Sequence, residues 1–255
     1  MSQQTKIRLD EIAAVHTSPS TFYHSLGHII RSKIQSGEWT VEQCIPSERE
    51  MMTIFNVSRA TVRQGIDNLV KEGILYRVQG KGTFVAPPKI EQGVLRLMEF
   101  SDVIKRNGLK PGVQLIGKER IVPPPNVAKL LALSDAEQAV WLQRLLMVNE
   151  EPILIETSYF SATRFPDLLE TYDGLEEPHK FVAKHYDVKI VRARETFEPV
   201  ILEDKEAEIL GSKGGFPALW VEHIAFEVAD KPAACLTSLL RGDRCRFYTD
   251  LVFDR

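Results

Sequence analysis

The chain has 255 residues, of which 44% are hydrophobic and 26% are charged, and its formal net charge at pH 7 is −3. This length allows one or two ordinary hydrophobic cores, and the overall charge gives no sign of a nucleic-acid-binding protein. The N-terminus lacks a basic-then-apolar signal pattern, and no run approaches ~18 apolar residues. We therefore expect a cytoplasmic protein that is neither secreted nor membrane-spanning.

The three cysteines have no spacing typical of a metal site or a redox motif. They are Cys44, Cys235 and Cys245. Such thiols suit a reducing cytoplasm, and we expect neither a metal nor a cofactor.

Residues 1–19 are mostly polar and predict an N-terminal arm. A first helix follows, and Ser36-Gly37 ends it. Its apolar positions are Phe22, Leu26, Ile29, Ile30 and Ile34. This helix begins a domain that we predict to span residues 20–86.

The stretch Pro46–Glu72 predicts two short helices joined by a tight turn. Ser47 and Glu50 have the spacing of a capping box, in which each satisfies a free N–H group near the helix start. Asn56 ends the first helix, and Ser58 caps the second. The apolar face of the first helix consists of Met51, Met52 and Phe55.

The second helix has two distinct sides. Its buried stripe is predicted to contain Val62, Ile66, Leu69 and Val70. The opposite arc carries Ala60, Thr61, Arg63, Gln64, Asp67 and Asn68. The small residues Ala60 and Gly65 are expected to permit close approach to DNA. Arginine, threonine and glutamine side chains contact base edges and phosphates in a DNA major groove. The alternative is an amphipathic helix with a solvated face.

The residues after this helix favour the DNA-binding interpretation. Leu75–Gln79 and Thr83–Val85 predict the strands of a β-hairpin whose turn is Gly80-Lys81-Gly82. A basic, glycine-containing hairpin after two such helices is typical of a winged helix-turn-helix domain. Residues 20–88 contain eight Lys/Arg and six Asp/Glu, so this segment has a net charge of +2 and the rest of the chain has −5.

Three segments carry a resemblance to a known family: Pro46–Glu50, Ser58–Arg63 and Gly80–Val85. They resemble the DNA-binding domain of the GntR family of bacterial transcription factors. The resemblance implies that arginines of both helices contact guanine edges and phosphates and that the hairpin tip contacts the backbone. The candidate DNA-binding residues are Ser47, Arg49, Ser58, Arg59, Thr61, Arg63, Gln64, Gly80 and Lys81.

Consecutive prolines, Pro87 and Pro88, mark a linker that we predict to span residues 87–93. The second domain, residues 94–255, alternates short helices with strands that are joined by hairpins such as Asn149–Pro152. This pattern predicts an antiparallel α+β fold. Strands are predicted at 114–122, 140–148, 153–160, 189–199, 218–228, 234–241 and 246–253, and helices at 93–107, 127–133, 164–170, 180–185 and 203–210.

The second domain resembles the ligand-binding (UTRA) domain of the HutC/FarR branch of the GntR family, whose fold is similar to that of chorismate lyase. The segments that carry this resemblance are Lys105–Gly112, Ile155–Phe160, Arg192–Pro199 and Leu240–Arg244. The resemblance implies that this domain binds a small metabolite and forms a homodimer. It also implies a regulator, most simply a repressor, that the metabolite releases from DNA or retunes on it.

Relatives that sense amino-sugar phosphates carry two arginines on the strand that here contains Arg144. Arg144 keeps the first, but Leu146 occupies the second, which makes a sugar phosphate less favoured. We expect an anionic group such as a carboxylate to meet Arg144. The alternative is that Arg144 pairs with a structural acid.

A loop that contacts ligand in these relatives corresponds to Leu97–Ser101. The candidate effector-binding residues are Ser101, Arg144, Glu156, Tyr159 and Ser238.

Other polar residues of this domain favour structural roles. Glu195 and Glu198 are predicted to form ion pairs with Arg192 and Arg194, and Arg241–Arg244 is predicted to organise a turn.

Two other classes of protein fit the sequence less well. An enzyme would require a nucleophile with its base, a metal cluster or a phosphate-binding glycine loop, and the sequence contains none of these. An architectural DNA-binding protein would not need a large second domain. We therefore predict a dimeric, effector-responsive transcriptional regulator that binds an operator in double-stranded DNA.

Overall fold

The computed structural model of the protein describes residues 19–93 and 100–249. The predicted arm up to residue 18, the loop residues Leu97, Met98 and Glu99, and the end of the last predicted strand lie outside these ranges. The chain divides into two compact units, with the division between Lys89 and Ile90. Across residues 19–93 and 100–249, no helix is long and apolar enough to span a membrane.

In its described part, residues 19–89, the N-terminal unit has three helices followed by a two-stranded antiparallel hairpin. The helices are α1 (Pro19–Gln35), α2 (Glu48–Phe55) and α3 (Arg59–Lys71), and the strands are β1 (Leu75–Val78) and β2 (Gly82–Val85). These are the elements and the order that the sequence predicts for a winged helix-turn-helix domain.

Side-chain caps fix where α2 and α3 begin. The Glu50 N–H donates to the Ser47 hydroxyl at 3.3 Å, and the Ser47 N–H donates to the Glu50 carboxylate at 2.8 Å, which completes the predicted capping box. At α3, the Thr61 N–H donates to the Ser58 hydroxyl at 3.2 Å. Asn56 adopts a left-handed conformation with φ 51°, which ends α2 and allows the tight turn.

One hydrophobic cluster holds these elements together. It contains Leu26 and Ile30 of α1, the buried faces of α2 and α3, and one residue of each hairpin strand. Trp39 lies in the same cluster and is 1% exposed. The full set is Leu26, Ile30, Trp39, Ile45, Met51, Phe55, Val62, Ile66, Leu69, Leu75 and Val85. The predicted stripe of α3 is therefore its core-facing side.

The C-terminal unit is built on a six-stranded antiparallel sheet with the strand order β4-β5-β6-β9-β8-β7. Its strands are β4 (Pro111–Ile121), β5 (Ala139–Val148), β6 (Glu151–Ser161), β7 (Arg192–Ile201), β8 (Pro217–Phe226) and β9 (Pro232–Arg241). Two further strands, β3 (Ile90–Gly93) and β10 (Cys245–Tyr248), form a separate parallel pair. The helices are α4 (Phe100–Arg106), α5 (Pro125–Leu130), α6 (Leu168–Thr171), α7 (Pro178–His185) and α8 (Asp204–Ile209).

Helices pack on both faces of the six-stranded sheet. On one face, α6 and α7 pack over one hydrophobic cluster, and α4 with the β3–β10 pair packs over another. Residues from α8 and α5 join clusters on the opposite face. Because side chains alternate along each strand, this arrangement assigns each strand residue to one face or the other.

Two details differ from the sequence-based expectation. Ile90–Gly93, which was assigned to the linker, forms β3, and its partner β10 is parallel rather than antiparallel. The helix predicted at 164–170 is shorter and begins at Leu168. Such short elements are stabilised by contacts distant in sequence, which local pattern does not reveal.

The turn between β9 and β10 is organised by buried charge, as the sequence predicts. The Arg241 guanidinium donates to the Asp243 carboxylate at 2.7 and 3.1 Å and to Glu151 at 3.1 Å. Gly242 lies between these charged residues, and its N–H donates to the Pro217 carbonyl at 3.0 Å. A Cβ at Gly242 would lie 2.7 Å from that same carbonyl oxygen.

We predict that Gly242→Ala lowers the free energy of unfolding of the C-terminal unit by about 1–3 kcal/mol, because the close contact is with backbone that must shift. Gly112→Ala is the matched control, since a Cβ there would meet only the Met147 side chain at 3.4 Å. Urea unfolding of both variants tests this prediction. Equal free energies for the two variants would contradict it.

Candidate DNA-binding surface and effector cleft

The side of α3 opposite the core is exposed and carries the predicted contact residues. Arg59, Arg63 and Gln64 are exposed, whereas Thr61 is half-buried at the helix start. Arg49 is exposed on α2. Gly65, which was expected to allow close approach to DNA, is instead buried on the core side.

Ser47 and Ser58 are exposed, but their hydroxyls are engaged in the helix caps. The Ser47 hydroxyl contacts the Glu50 carboxylate at 2.7 Å, and the Ser58 hydroxyl lies 2.8 Å from the Thr61 hydroxyl. The carboxylate at the capping box also has its pKa lowered by these hydrogen bonds with Ser47. The two serines thus fix the starts of the helices that present the arginines.

An acidic residue lies among the arginines of this surface. Glu48 lies 3.4 Å from the Arg59 Nε and 3.3 Å from the Arg77 Nη2, and Arg77 also pairs with Asp67. These contacts link α2, α3 and β1 through charged side chains. Sequence analysis assigned no role to Glu48 or Arg77, because only the folded arrangement brings them together.

The hairpin ends in the predicted basic tip. Gly80 and Gly82 have positive φ values of 74° and 127°, which a glycine adopts without strain. Lys81 between them is exposed, and its N–H donates to the Val78 carbonyl at 3.0 Å. Tyr76 and Phe84 stack across the strands with ring centroids 5.6 Å apart. The hairpin therefore presents a lysine on a short, ordered turn.

A cleft lies on the face of the large sheet that α4, α6 and α7 cover. It encloses about 460 Å³ of space outside the protein atoms, part of which is open to solvent. Its apolar lining is Phe100, Leu146, Val221 and Leu236, and its polar lining is Glu156, Glu177, His179, His223 and Ser238. The cleft therefore lies where the two hydrophobic clusters of this face meet.

Only two of the five predicted effector-binding residues, Glu156 and Ser238, line this cleft. Tyr159 belongs to the opposite face, where it packs with the cluster under α5. Ser101 lies in the first turn of α4, but the neighbouring Phe100 reaches the cleft instead.

Arg144 is 2% exposed and does not line the cleft. It pairs with Glu156 directly across the β5–β6 ladder, with nitrogen–oxygen distances of 2.7 and 2.9 Å. Its Nη1 donates to the Glu176 carbonyl at 2.9 Å, and the Tyr172 hydroxyl donates to the same carbonyl at 2.7 Å. Arg144 therefore pairs with a structural acid, which is the alternative that the sequence left open. Its contacts give no support to the expected role of Arg144 in binding an anion.

Sequence analysis missed three polar residues of the cleft. Glu177 and His179 lie at the start of α7, and His223 lies on β8. His223 Nδ1 is 3.2 Å from the Glu195 carboxylate, so Glu195 pairs with this imidazole and not with Arg192 as predicted. Arg192 instead pairs with Asp230 at 2.7 Å. The alternation of β8 could have placed His223 on the inner face if its register had been known.

Burial shapes the electrostatics of the cleft. Burial lowers the pKa of His179 to about 3, and the neighbouring His223, Lys180 and Arg144 act in the same direction. His179 is therefore neutral at pH 7. Burial also raises the pKa of the Glu177 carboxyl, although its ion pair with Lys180 at 2.6 Å opposes this effect. Burial acts to lower the pKa of the Arg144 guanidinium. The Glu156 carboxylate acts in the opposite direction, and the pKa of Arg144 is raised.

We predict that Arg144→Ala lowers the free energy of unfolding of the C-terminal unit by about 3 kcal/mol, because it leaves the largely buried Glu156 carboxylate without its partner. Arg194→Ala is the control, since Arg194 is exposed on β7 and its loss is expected to cost less than about 0.5 kcal/mol. Urea unfolding followed by circular dichroism measures both. A loss at Arg144 no larger than that at Arg194 would refute the structural role.

We predict that His179 makes the protein less stable in acid. Its pKa falls from 6.5 to about 3 on folding, so the unfolded chain binds a proton in this interval that the folded chain does not. The contribution of neutral His179 is thus complete above pH 6.5 and is lost as the pH falls toward 3. Below pH 6.5, wild type should lose up to about 1.4 kcal/mol more per pH unit than His179→Gln. The free energy of unfolding of both proteins is measured in urea between pH 7.5 and 4.5. If it changes equally with pH in the two proteins, His179 is not buried as a neutral group.

Both units match known protein families. The family described as "Bacterial regulatory proteins, gntR family" matches residues 22–85, and the UTRA domain matches residues 106–246. The HTH-type transcriptional repressor NagR of Bacillus subtilis is 32% identical over 230 residues, which are 90% of this chain and 94% of NagR. The histidine utilization repressor of Pseudomonas aeruginosa is 27% identical over 203 residues, which are 80% of each chain.

The fold is also found in a solved structure. The crystal structure of PhnF from Mycobacterium smegmatis superposes with a TM-score of 0.63, and the match covers 91% of this chain and 99% of PhnF at 24% identity. The expected class, a regulator and not an enzyme, is confirmed by these relatives. The chain belongs to the GntR family of bacterial regulatory proteins, as a member with a UTRA domain, and is a DNA-binding transcriptional regulator that responds to a small-molecule effector.

Proposed function

We propose that this protein is a repressor that binds a near-palindromic operator as a homodimer in the cytoplasm and that an effector bound in the cleft releases or retunes it. The observation that carries the DNA-binding half is the exposed side of α3, where Arg59, Arg63 and Gln64 lie opposite a fully buried stripe. A capped helix with this division of side chains fits a major groove.

The candidate contact residues divide into two roles. Arg49, Arg59, Arg63, Thr61 and Gln64 are assigned to bases and nearby phosphates. Gly80 and Lys81 are assigned to the backbone beside the major groove, because an exposed lysine on a tight turn contributes charge without base specificity. The serine caps Ser47 and Ser58 position the starts of both helices.

A dimer places two such units on one operator, with half-sites ~10 bp apart or more. Because DNA and effector bind the same molecule, their affinities are reciprocally coupled: an effector that weakens operator binding is itself bound more weakly by the operator complex. The linker around Pro87 and Pro88 is the segment through which we propose the effector changes the spacing of the two DNA-binding units.

We predict that Arg63→Ala weakens binding to the specific operator by about 1–3 kcal/mol, because a side chain that contacts base edges is lost. The operator is first obtained by selecting bound sequences from random double-stranded DNA with the wild-type protein. Affinities are then measured by fluorescence anisotropy at fixed salt concentration, on the selected site and on an unrelated duplex.

Lys205→Ala removes the same charge from the exposed surface of α8 and is the control for net charge. It is expected to leave the affinity for the selected operator unchanged. If Arg63→Ala and Lys205→Ala bind the operator equally well, the assignment of α3 as the base-reading helix is wrong. If no sequence is enriched in the selection, the proposal of a specific operator fails.

A further inference from the structure

The buried arginine of the C-terminal unit is committed within the protein. Arg144 contacts the Glu156 carboxylate and the Glu176 carbonyl, and it is 2% exposed. None of the described residues that line the cleft is a lysine or an arginine. The Lys180 ammonium lies 2.6 Å from the Glu177 carboxylate and is half-exposed. Among the described lining residues, an anionic ligand would therefore meet the carboxylates of Glu156 and Glu177, whose cationic partners do not themselves line the cleft.

The polar atoms at the cleft are mainly hydrogen-bond acceptors. Glu156 and Glu177 contribute carboxylates, and Ser238 contributes a hydroxyl. The two carboxylates are close enough to interact: after burial, which has the larger effect, the charge of Glu156 also helps to raise the pKa of Glu177. Arg144 contacts Oε1 of Glu156 and Lys180 contacts Oε2 of Glu177, so each carboxylate already has a cationic partner at one oxygen. A ligand N–H group can donate to the second oxygen of each carboxylate.

His223 adds an acceptor whose partner is missing. Its Nδ1 lies 3.2 Å from the Glu195 carboxylate, which only accepts hydrogen bonds, so Nδ1 carries the proton. In the tautomer with its proton on Nδ1, the Nε2 atom is an acceptor, and it is buried without a hydrogen-bond partner among the described residues. His223 itself is 7% exposed. An unpartnered polar atom buried at a cleft wall is costly unless a ligand or water satisfies it.

We propose that the effector is a small amine-bearing cation. Its ammonium donates to the carboxylates of Glu156 and Glu177, and a second N–H or O–H group donates to His223 Nε2. Its carbon skeleton packs against the apolar wall formed by Phe100 and Leu236. This inference rests on the proposed effector response and replaces the expectation of an anionic effector with the opposite charge.

Four five-carbon probes with different ends test the charge preference. They are 1,5-diaminopentane, 5-amino-1-pentanol, 1,5-pentanediol and glutarate. Binding to the full-length protein is measured by calorimetry and by the thermal shift that a bound ligand produces through mass action. The amino alcohol or the diamine is expected to bind at least tenfold more tightly than the diol and glutarate. Preferred binding of glutarate, or no binding of either amine, would overturn the proposal.

Matched variants locate the site. Glu177→Gln should weaken amine binding at least tenfold, whereas Glu198→Gln, which changes an exposed carboxylate of β7, should leave it unchanged. His223→Phe removes the unpartnered acceptor and should weaken the amino alcohol more than the corresponding alkylamine, 1-aminopentane. Equal affinities for wild type and Glu177→Gln, with both proteins folded by circular dichroism, would place the amine elsewhere and refute the assignment.

Operator affinity measured on the same samples separates this inference from the proposed function. If glutarate binds and releases operator DNA, the regulator is ligand-responsive and only the proposed chemistry of the ligand is wrong. If the amine binds the cleft but no operator is recovered by selection, the ligand class stands and the specific operator fails.

Discussion

The buried guanidinium of Arg144 is the constraint on which the inner face of the large sheet depends. An arginine does not lose its charge in a protein, so burying it requires charged and hydrogen-bonded partners. Glu156 provides the charge, and the Glu176 carbonyl accepts a second nitrogen. That carbonyl lies two residues before Pro178, the first residue of α7, so the arginine ties the start of this helix to β5. Glu177 and His179, at the start of the same helix, line the cleft.

The N-terminal unit could be predicted almost completely because its signals are local. The caps at Ser47 and Ser58 are satisfied by residues three positions later, and the burial of α3 follows from its own periodicity. Even the hairpin is specified by the glycines on either side of Lys81. Gly65 was the exception: whether a residue without a side chain faces DNA or the core is decided by packing against other elements.

The effector cleft could not be predicted in the same way because its residues are distant in sequence. Glu177 and His223 come from elements that meet only after the sheet forms, and Tyr159 was assigned to the wrong face. The pairing of β3 with β10 likewise joins residues such as Ile90 and Cys245. The resemblance to relatives that sense amino-sugar phosphates identified Arg144 as a candidate effector-binding residue. It could not reveal that Glu156 already pairs with the Arg144 guanidinium.

A single extra residue in β6 brings Glu156 to the position where it neutralises the charge of Arg144. Asn149 and Glu150 have positive φ values and form a two-residue turn, which pairs Val148 with Glu151. Without further change this register would pair Arg144 with Ile155, and Glu156 would lie on the opposite face of the sheet. The ladder shifts by one position around Ile153, beside a proline that cannot donate to it, and Glu156 then lies directly opposite Arg144. The bulge therefore joins the acid to the arginine, and no lysine or arginine is found among the described residues that line the cleft.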